Sequence, residues 1–259
     1  MILKQGHKYR AMPHDGKAIR RIYRGGRCYY IASPYSHEAT QALNAAFPQY
    51  WKAIRDYGWA NPALVPFINE DPMLIVSLVE VGKVRWLYPD TVGNYFNSGF
   101  NAKVAPTCEV LMMAINNNDT DYWGNSSIDK ACYYANFTTT LKYYRYGSST
   151  SINTGVALPI GEAHLWSVGK EIKLDGELRY TTSNTYTPNE LQTPIYIFRS
   201  GRGDPNTFKL AMFRIYDGED LKHHFVPFKR NGDMELLDIV TLTLATRVGT
   251  FTEIIEDKP

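Results

Sequence analysis

From residue 73 onward, short apolar or alternating runs recur, each broken by Gly, Pro, Asn or Asp. They include MLIVSLVEV (73–81), VRWLY (84–88), TCEVLMMAI (107–115), KACYYANF (130–137), LKYYRY (141–146), GEAHLWSV (161–168), PIYIFRS (194–200), MELLDIV (234–240) and GTFTEI (249–254). This period-2 pattern predicts about ten strands of an antiparallel sandwich or jelly roll. IKLDGELRY (172–180) predicts a tight hairpin, because Asp175-Gly176 tolerates the positive φ angles of a two-residue turn. IYDGEDLKHHF (215–225) repeats the device at Asp217-Gly218. The pattern before residue 73 is different. AIRRIYRGGRCYYIA (18–32) predicts a hairpin turning at Gly25-Gly26. In SPYSHEATQALNAAFPQYWKAIRDYGW (33–59), Ala39, Leu43 and Ala46 fall at helical spacing. Ser36 is placed to cap that helix, Pro48 to interrupt it, and Gly58 to close a second helix over 49–57. ANPALVPFINEDP (60–72), with three prolines, reads as a connector, and no helical period is expected after residue 60. The fold class expected is mainly β. An antiparallel β-sandwich over 73–259 follows a small hairpin-plus-helix module over 1–72.

Composition sharpens this. Aromatics are 14% of the 259 residues, including 19 Tyr, which suits strands whose rings pack across pairs. No apolar run reaches the length of a bilayer span, and the N-terminus MILKQGHKYR lacks the apolar stretch of a signal peptide. Cys28, Cys108 and Cys132 show no CxxC spacing and read as small apolar side chains packed in a reducing compartment. The net charge of +2 is unevenly spread. Residues 1–60 hold ten Lys or Arg against three Asp or Glu, leaving the remainder acidic. Such a basic head suits an acidic surface of protein or nucleic acid. Arg20, Arg21, Arg24 and Arg27 are its densest group and the candidate docking residues. No RNP, zinc or helix-turn-helix signature accompanies them, which makes nucleic acid the lesser alternative.

Candidate chemistry is sparse. His223 and His224 are adjacent, so on a strand they point to opposite faces and cannot readily share a metal. His164 shares a strand face with Glu162 and Trp166, where a half-buried, hydrogen-bonded ring is expected. Glu171, Asp175 and Glu177 straddle an exposed turn, a poor place to tune a catalytic carboxyl, and no GxSxG or P-loop motif occurs. No cofactor is therefore expected. NNNDTDYWGNSS (116–127) reads as a loop in which Asp119 and Asp121 are oxygen donors of the kind that hold Ca²⁺. In the same stretch Tyr122 and Trp123 could stack on a sugar. Plain turn chemistry is the simpler explanation of the Asn/Asp run, since turn composition is common and metal loops are rare. Tyr144 and Tyr146, at alternate positions of one strand, form a second candidate strip for a sugar or a protein partner. The RGD at 202–204 is ordinary turn composition.

The segments GNSS (124–127), YYRYGSS (143–149), INTG (152–155), GEAHLW (161–166), IKLDGELRY, PIYIFRS and FRIYDGEDLKHHFVPFKRNG (213–232) follow one another in order. With KVRWLYPDTVGNYFNSGF (83–100) ahead of them, this order resembles a laminin-G-like, concanavalin A-like jelly roll. Specifically, it is similar to the version common in virion and tail-associated proteins of phages that infect gut bacteria. The resemblance spans roughly residues 83–254. It departs from the family at the C-terminal end, where ELLDIVTLTLATRVGTFTEI keeps the GTF but lacks the preceding aromatic and Asn.

The resemblance implies a non-enzymatic structural protein of a tailed phage, assembled in the host cytoplasm and resident in the virion. Its partners would be capsid, portal or tail proteins and copies of itself, with a trimer suiting a fibre. Attachment to a host-surface glycan is a further expectation. A carbohydrate-binding, lectin-like protein is the alternative, and a glycosidase on the same fold stands behind it.

Overall fold

The computed structural model describes residues 21–24, 27–91, 93–101, 106–115, 120–126, 131–137, 140–148, 152–185, 194–199 and 208–258. The chain divides into two compact units, residues 1–72 and 73–259.

Among the described residues, the first unit holds a hairpin of β1 (Arg21–Arg24) and β2 (Arg27–Ile31). Helix α1 (His37–Ala46) follows, and Ser36 Oγ caps it by accepting the Ala39 N–H at 3.1 Å. Pro48 ends that helix, as expected, and opens a 3-10 turn at Pro48–Tyr50. Helix α2 (Trp51–Ala60) continues past Gly58, which lies inside the helix, and Asn61 is the actual cap. Gly58 is small because Tyr35 packs against it. A β-carbon there would come within 2.5 Å of the Tyr35 ring, whose hydroxyl donates to the Ile54 carbonyl at 2.6 Å.

The expected connector at 60–72 is helical, a 3-10 turn at Pro62–Leu64 leading into α3 (Val65–Glu70). The apolar run at 73–81, expected as a strand, forms another 3-10 turn at Pro72–Leu74 and then α4 (Ile75–Leu78). Proline explains both corrections. At the first positions of a helix its fixed φ is already helical and its missing N–H costs nothing. A short apolar run cannot separate helix from strand by periodicity alone. No helix among the described residues is long and apolar enough to cross a membrane.

The second unit is mainly β, with sixteen strands among its described residues rather than about ten. They are β3 (Lys83–Pro89), β4 (Tyr95–Asn101), β5 (Pro106–Ala114), β6 (Thr120–Ser126), β7 (Ala131–Phe137), β8 (Thr140–Ser148), β9 (Ala163–Val168) and β10 (Glu171–Leu174). There follow β11 (Glu177–Thr181), β12 (Pro194–Ile197), β13 (Phe208–Asp217), β14 (Asp220–Arg230), β15 (Asp233–Asp238), β16 (Thr243–Leu244), β17 (Thr246–Val248) and β18 (Phe251–Asp257). A larger antiparallel sheet runs β11-β10-β9-β5-β13-β14-β15-β16, with β3 joined to β13 and β18 to β3. A six-stranded sheet runs β17-β4-β12-β6-β7-β8.

Aromatic side chains meet between the two sheets, as in a sandwich. Phe96 of the smaller sheet lies 4.4 Å from Phe251 of the larger, centroid to centroid. Strand β5 shows how the sequence drives this. Cys108, Val110, Met112 and Ala114 are buried in the shared core, and the alternate residues are only half-buried. Both turns with two residues at positive φ, Asp175-Gly176 and Asn231-Gly232, close hairpins. That geometry matches the twist of the paired strands.

Candidate binding cleft on the outer face of the large sheet

The stretch carrying the two histidines forms β13, β14 and β15, and its geometry separates the rings. His223 turns inward, where its ring stacks parallel on Phe225 with centroids 5.5 Å apart. Its Nδ1 lies 2.7 Å from Asp238 Oδ2. His224 turns outward and stands in register with Arg214, which is in register with Glu109 on β5. Three neighbouring strands thus place Glu109, Arg214 and His224 in one row across the outer face. Arg214 Nη1 is 3.3 Å from Glu109 Oε2, and the Tyr216 hydroxyl donates to the same oxygen at 3.0 Å. Burial raises the Tyr216 pKa and the Glu109 carboxylate adds to it. Burial pushes the His224 imidazole down and the Arg214 charge adds to that. Asp238 opposes only in part, and the result is about 4. His224 is therefore neutral near pH 7.

Beside this polar row lies an apolar one. Met212 pairs in register with Leu111, and Leu111 with Leu165. Residues 76–80, the end of α4 and the two residues after it, border this face across a half-open cleft of about 350 Å³. Its walls include Leu111, Ala163 and Met212 from the sheet, Leu78 and Val79 from the bordering segment, and Trp86 of β3. Arg214 and His224 also line it. Two further lining residues, Lys83 and Lys258, are ion-paired to Asp257 and Glu80.

The residues singled out in the sequence do not converge here. Tyr122 and Trp123 are buried at 1% and 2% exposure, which removes them as a sugar platform. They lie on strand β6 rather than in a loop, and the β6–β7 register shifts between Asp121 and Trp123. Such a bulge re-aims a side chain, which accounts for two successive aromatics both reaching the core. Tyr122 meets Phe208 at 5.1 Å and Trp123 meets Phe213 at 5.9 Å, both edge-to-face. Asp121 sits on the same strand opposite Ala135, and Asp119 lies outside the described residues. Among the described residues no three His, Cys, Asp or Glu side chains come together to hold a metal.

Tyr144 and Tyr146 fall on β8, the outermost strand of the smaller sheet. Arg21, Arg24 and Arg27 lie on the first hairpin, with Arg24 directly opposite Arg27. Arg20 and the RGD at 202–204 lie outside the described residues.

His164 is half-buried and hydrogen-bonded, its Nδ1 2.6 Å from Asp175 Oδ2. Burial pushes the Asp175 carboxyl up, but His164 and the Leu165 N–H outweigh it and hold the pKa below the usual range. Glu171 and Glu177 are ion-paired to Lys173 and Arg179, their neighbours two residues along.

The row Glu109–Arg214–His224 escaped the sequence reading. The Asp217-Gly218 pair signalled the hairpin that sets Arg214 against His224, although the turn itself is Gly218-Glu219, with Asp217 ending β13 opposite Asp220. The pairing with Glu109 joins strands more than a hundred residues apart and had no local signal. The chain matches no protein-family model and no curated protein.

Proposed function

We propose that the chain is a non-enzymatic structural protein of a tailed-phage particle. The basic N-terminal unit docks onto capsid, portal or tail proteins, with Arg21, Arg24 and Arg27 on the strands of its hairpin. The β-sandwich is displayed for contacts with further copies of the chain or with a host-surface glycan, many copies supplying avidity.

One observation carries this reading. Most of the segments that resemble phage virion jelly rolls fall in order on strands of a two-sheet antiparallel unit. KVRWLYP forms β3, IKLDGELRY the β10–β11 hairpin, PIYI β12, and FRIYDGEDLKHHFVPFKRNG the second half of β13 and all of β14. The lectin-like alternative loses its principal stacking residues with the burial of Tyr122 and Trp123. The three carboxylates weighed for glycoside hydrolysis are each engaged by a basic side chain of the same hairpin region.

The test is mass spectrometry and antibody-labelled electron microscopy of purified particles made with and without the gene. A fixed copy number at one position on the particle, lost on deletion, is expected. Particles that never contain the chain would overturn the reading.

A further inference from the structure

We propose that the cleft between the outer face of the large sheet and residues 76–80 binds a small carboxylate with an apolar body. The site is independent of the virion reading, and either can fail without the other.

The walls set the body of the ligand. Leu111, Ala163 and Met212 below and Leu78 and Val79 above present apolar surface. A volume of about 350 Å³ is at the lower end of the range for small-molecule sites.

The polar groups set its head. Three side chains lining the cleft carry a buried N–H or O–H with no hydrogen-bond partner among the described residues: Ser77 Oγ, Trp86 Nε1 and Arg214 Nε. The Trp86 side chain is fully buried. Buried donors are nearly always satisfied, and of these three residues Arg214 keeps 32% of its side chain open, so its guanidinium is the group that an acceptor entering the cleft meets first. Glu109 engages Arg214 through Nη1, which leaves the Nε edge of the guanidinium for a second acceptor. Neutral His224 adds no competing charge, and Glu80, the carboxylate among the lining residues, is held by Lys258. An anionic oxygen suits this donor set, with the Arg214 guanidinium as its cationic partner. A carboxylate bonded to a guanidinium gains a charge-assisted hydrogen bond that a hydroxyl does not.

Titration calorimetry of the full chain with octanoate tests this, with octan-1-ol and octylamine as neutral and cationic controls. One octanoate site per chain is expected, with both controls weaker by about tenfold or more, the worth of one charged hydrogen bond. Arg214→Gln should weaken octanoate by a similar factor. Ala163→Trp should fill the cleft and abolish binding, with Leu111→Phe as a second filling variant should Ala163→Trp not fold. Absence of octanoate binding to the wild-type chain overturns the proposal. So does undiminished binding to a folded, filled variant, and so does octan-1-ol binding as tightly as octanoate.

Discussion

Asp238 and His223 form a partly buried pair at 2.7 Å, and the same carboxylate accepts the His224 N–H at 2.9 Å. It also takes the Val240 N–H at 3.0 Å and the Thr241 hydroxyl at 2.6 Å. Asp238 is wholly inaccessible to solvent. Burial pushes its carboxyl up, but the bonds from His223, His224, Thr241 and Val240 prevail and hold its pKa at about 2. The group therefore fixes the end of β15 to β14. Asp238→Ala strands four donors at once and should cost about 3 kcal/mol or more, read as a shift in the urea midpoint. Asp238→Asn keeps one acceptor oxygen and should fall between that variant and the wild type.

His224 gives the sandwich an acid-sensitive term of definite sign. Its folded pKa of about 4 lies below the usual 6.5, so between those values the unfolded chain binds the proton more readily. The stability is fully present above pH 6.5 and is lost as pH falls towards 4. At most about 3 kcal/mol is at stake, and partial exposure reduces it. Asp238 acts lower on the scale, its contribution being lost as pH falls from 3.8 through about 2. Urea melts at pH 7, 5.5 and 4.5 should show falling stability in the wild type. They should show a shallower fall in His224→Phe. An unchanged pH slope in that variant would remove His224 as the source.

The misreading of Tyr122 and Trp123 shows what local pattern carries and what it does not. Turn chemistry, hairpins and the inward face of strands such as β5 were legible because each depends on residues a few positions apart. The side to which an aromatic points is equally legible while the period of two holds. At Tyr122 a bulge breaks that period, and its cause is a pairing with β7 that the residues around 122 do not announce. The cleft was illegible for a related reason, because it joins residues 76–80 to strands β3, β9, β13 and β14. Trp123→Ala should accordingly behave as a core truncation, lowering stability by about 3–5 kcal/mol in urea melts. A variant of wild-type stability would return Trp123 to the surface.

Gly58 provides a test in the first unit, where the expected sign is the reverse of the usual one. Replacing a helical Gly by Ala ordinarily stabilises by roughly 1 kcal/mol, because glycine loses more backbone freedom on folding. Here the added methyl would sit 2.5 Å from Tyr35 Cζ and Oη and 2.6 Å from Pro34 Cγ. Tyr35 cannot swing aside cheaply, since its hydroxyl is bonded to the Ile54 carbonyl and its ring also packs against Trp51 at 6.5 Å. Overpacking of this kind costs about 1–3 kcal/mol and outweighs the propensity gain. Gly58→Ala should therefore melt at a lower temperature than the wild type. The double variant Gly58→Ala with Tyr35→Phe, which frees the ring to move, should recover part of the Gly58→Ala loss relative to Tyr35→Phe alone. A Gly58→Ala chain that melts higher would mean that α2 does not pack against Tyr35 at this position.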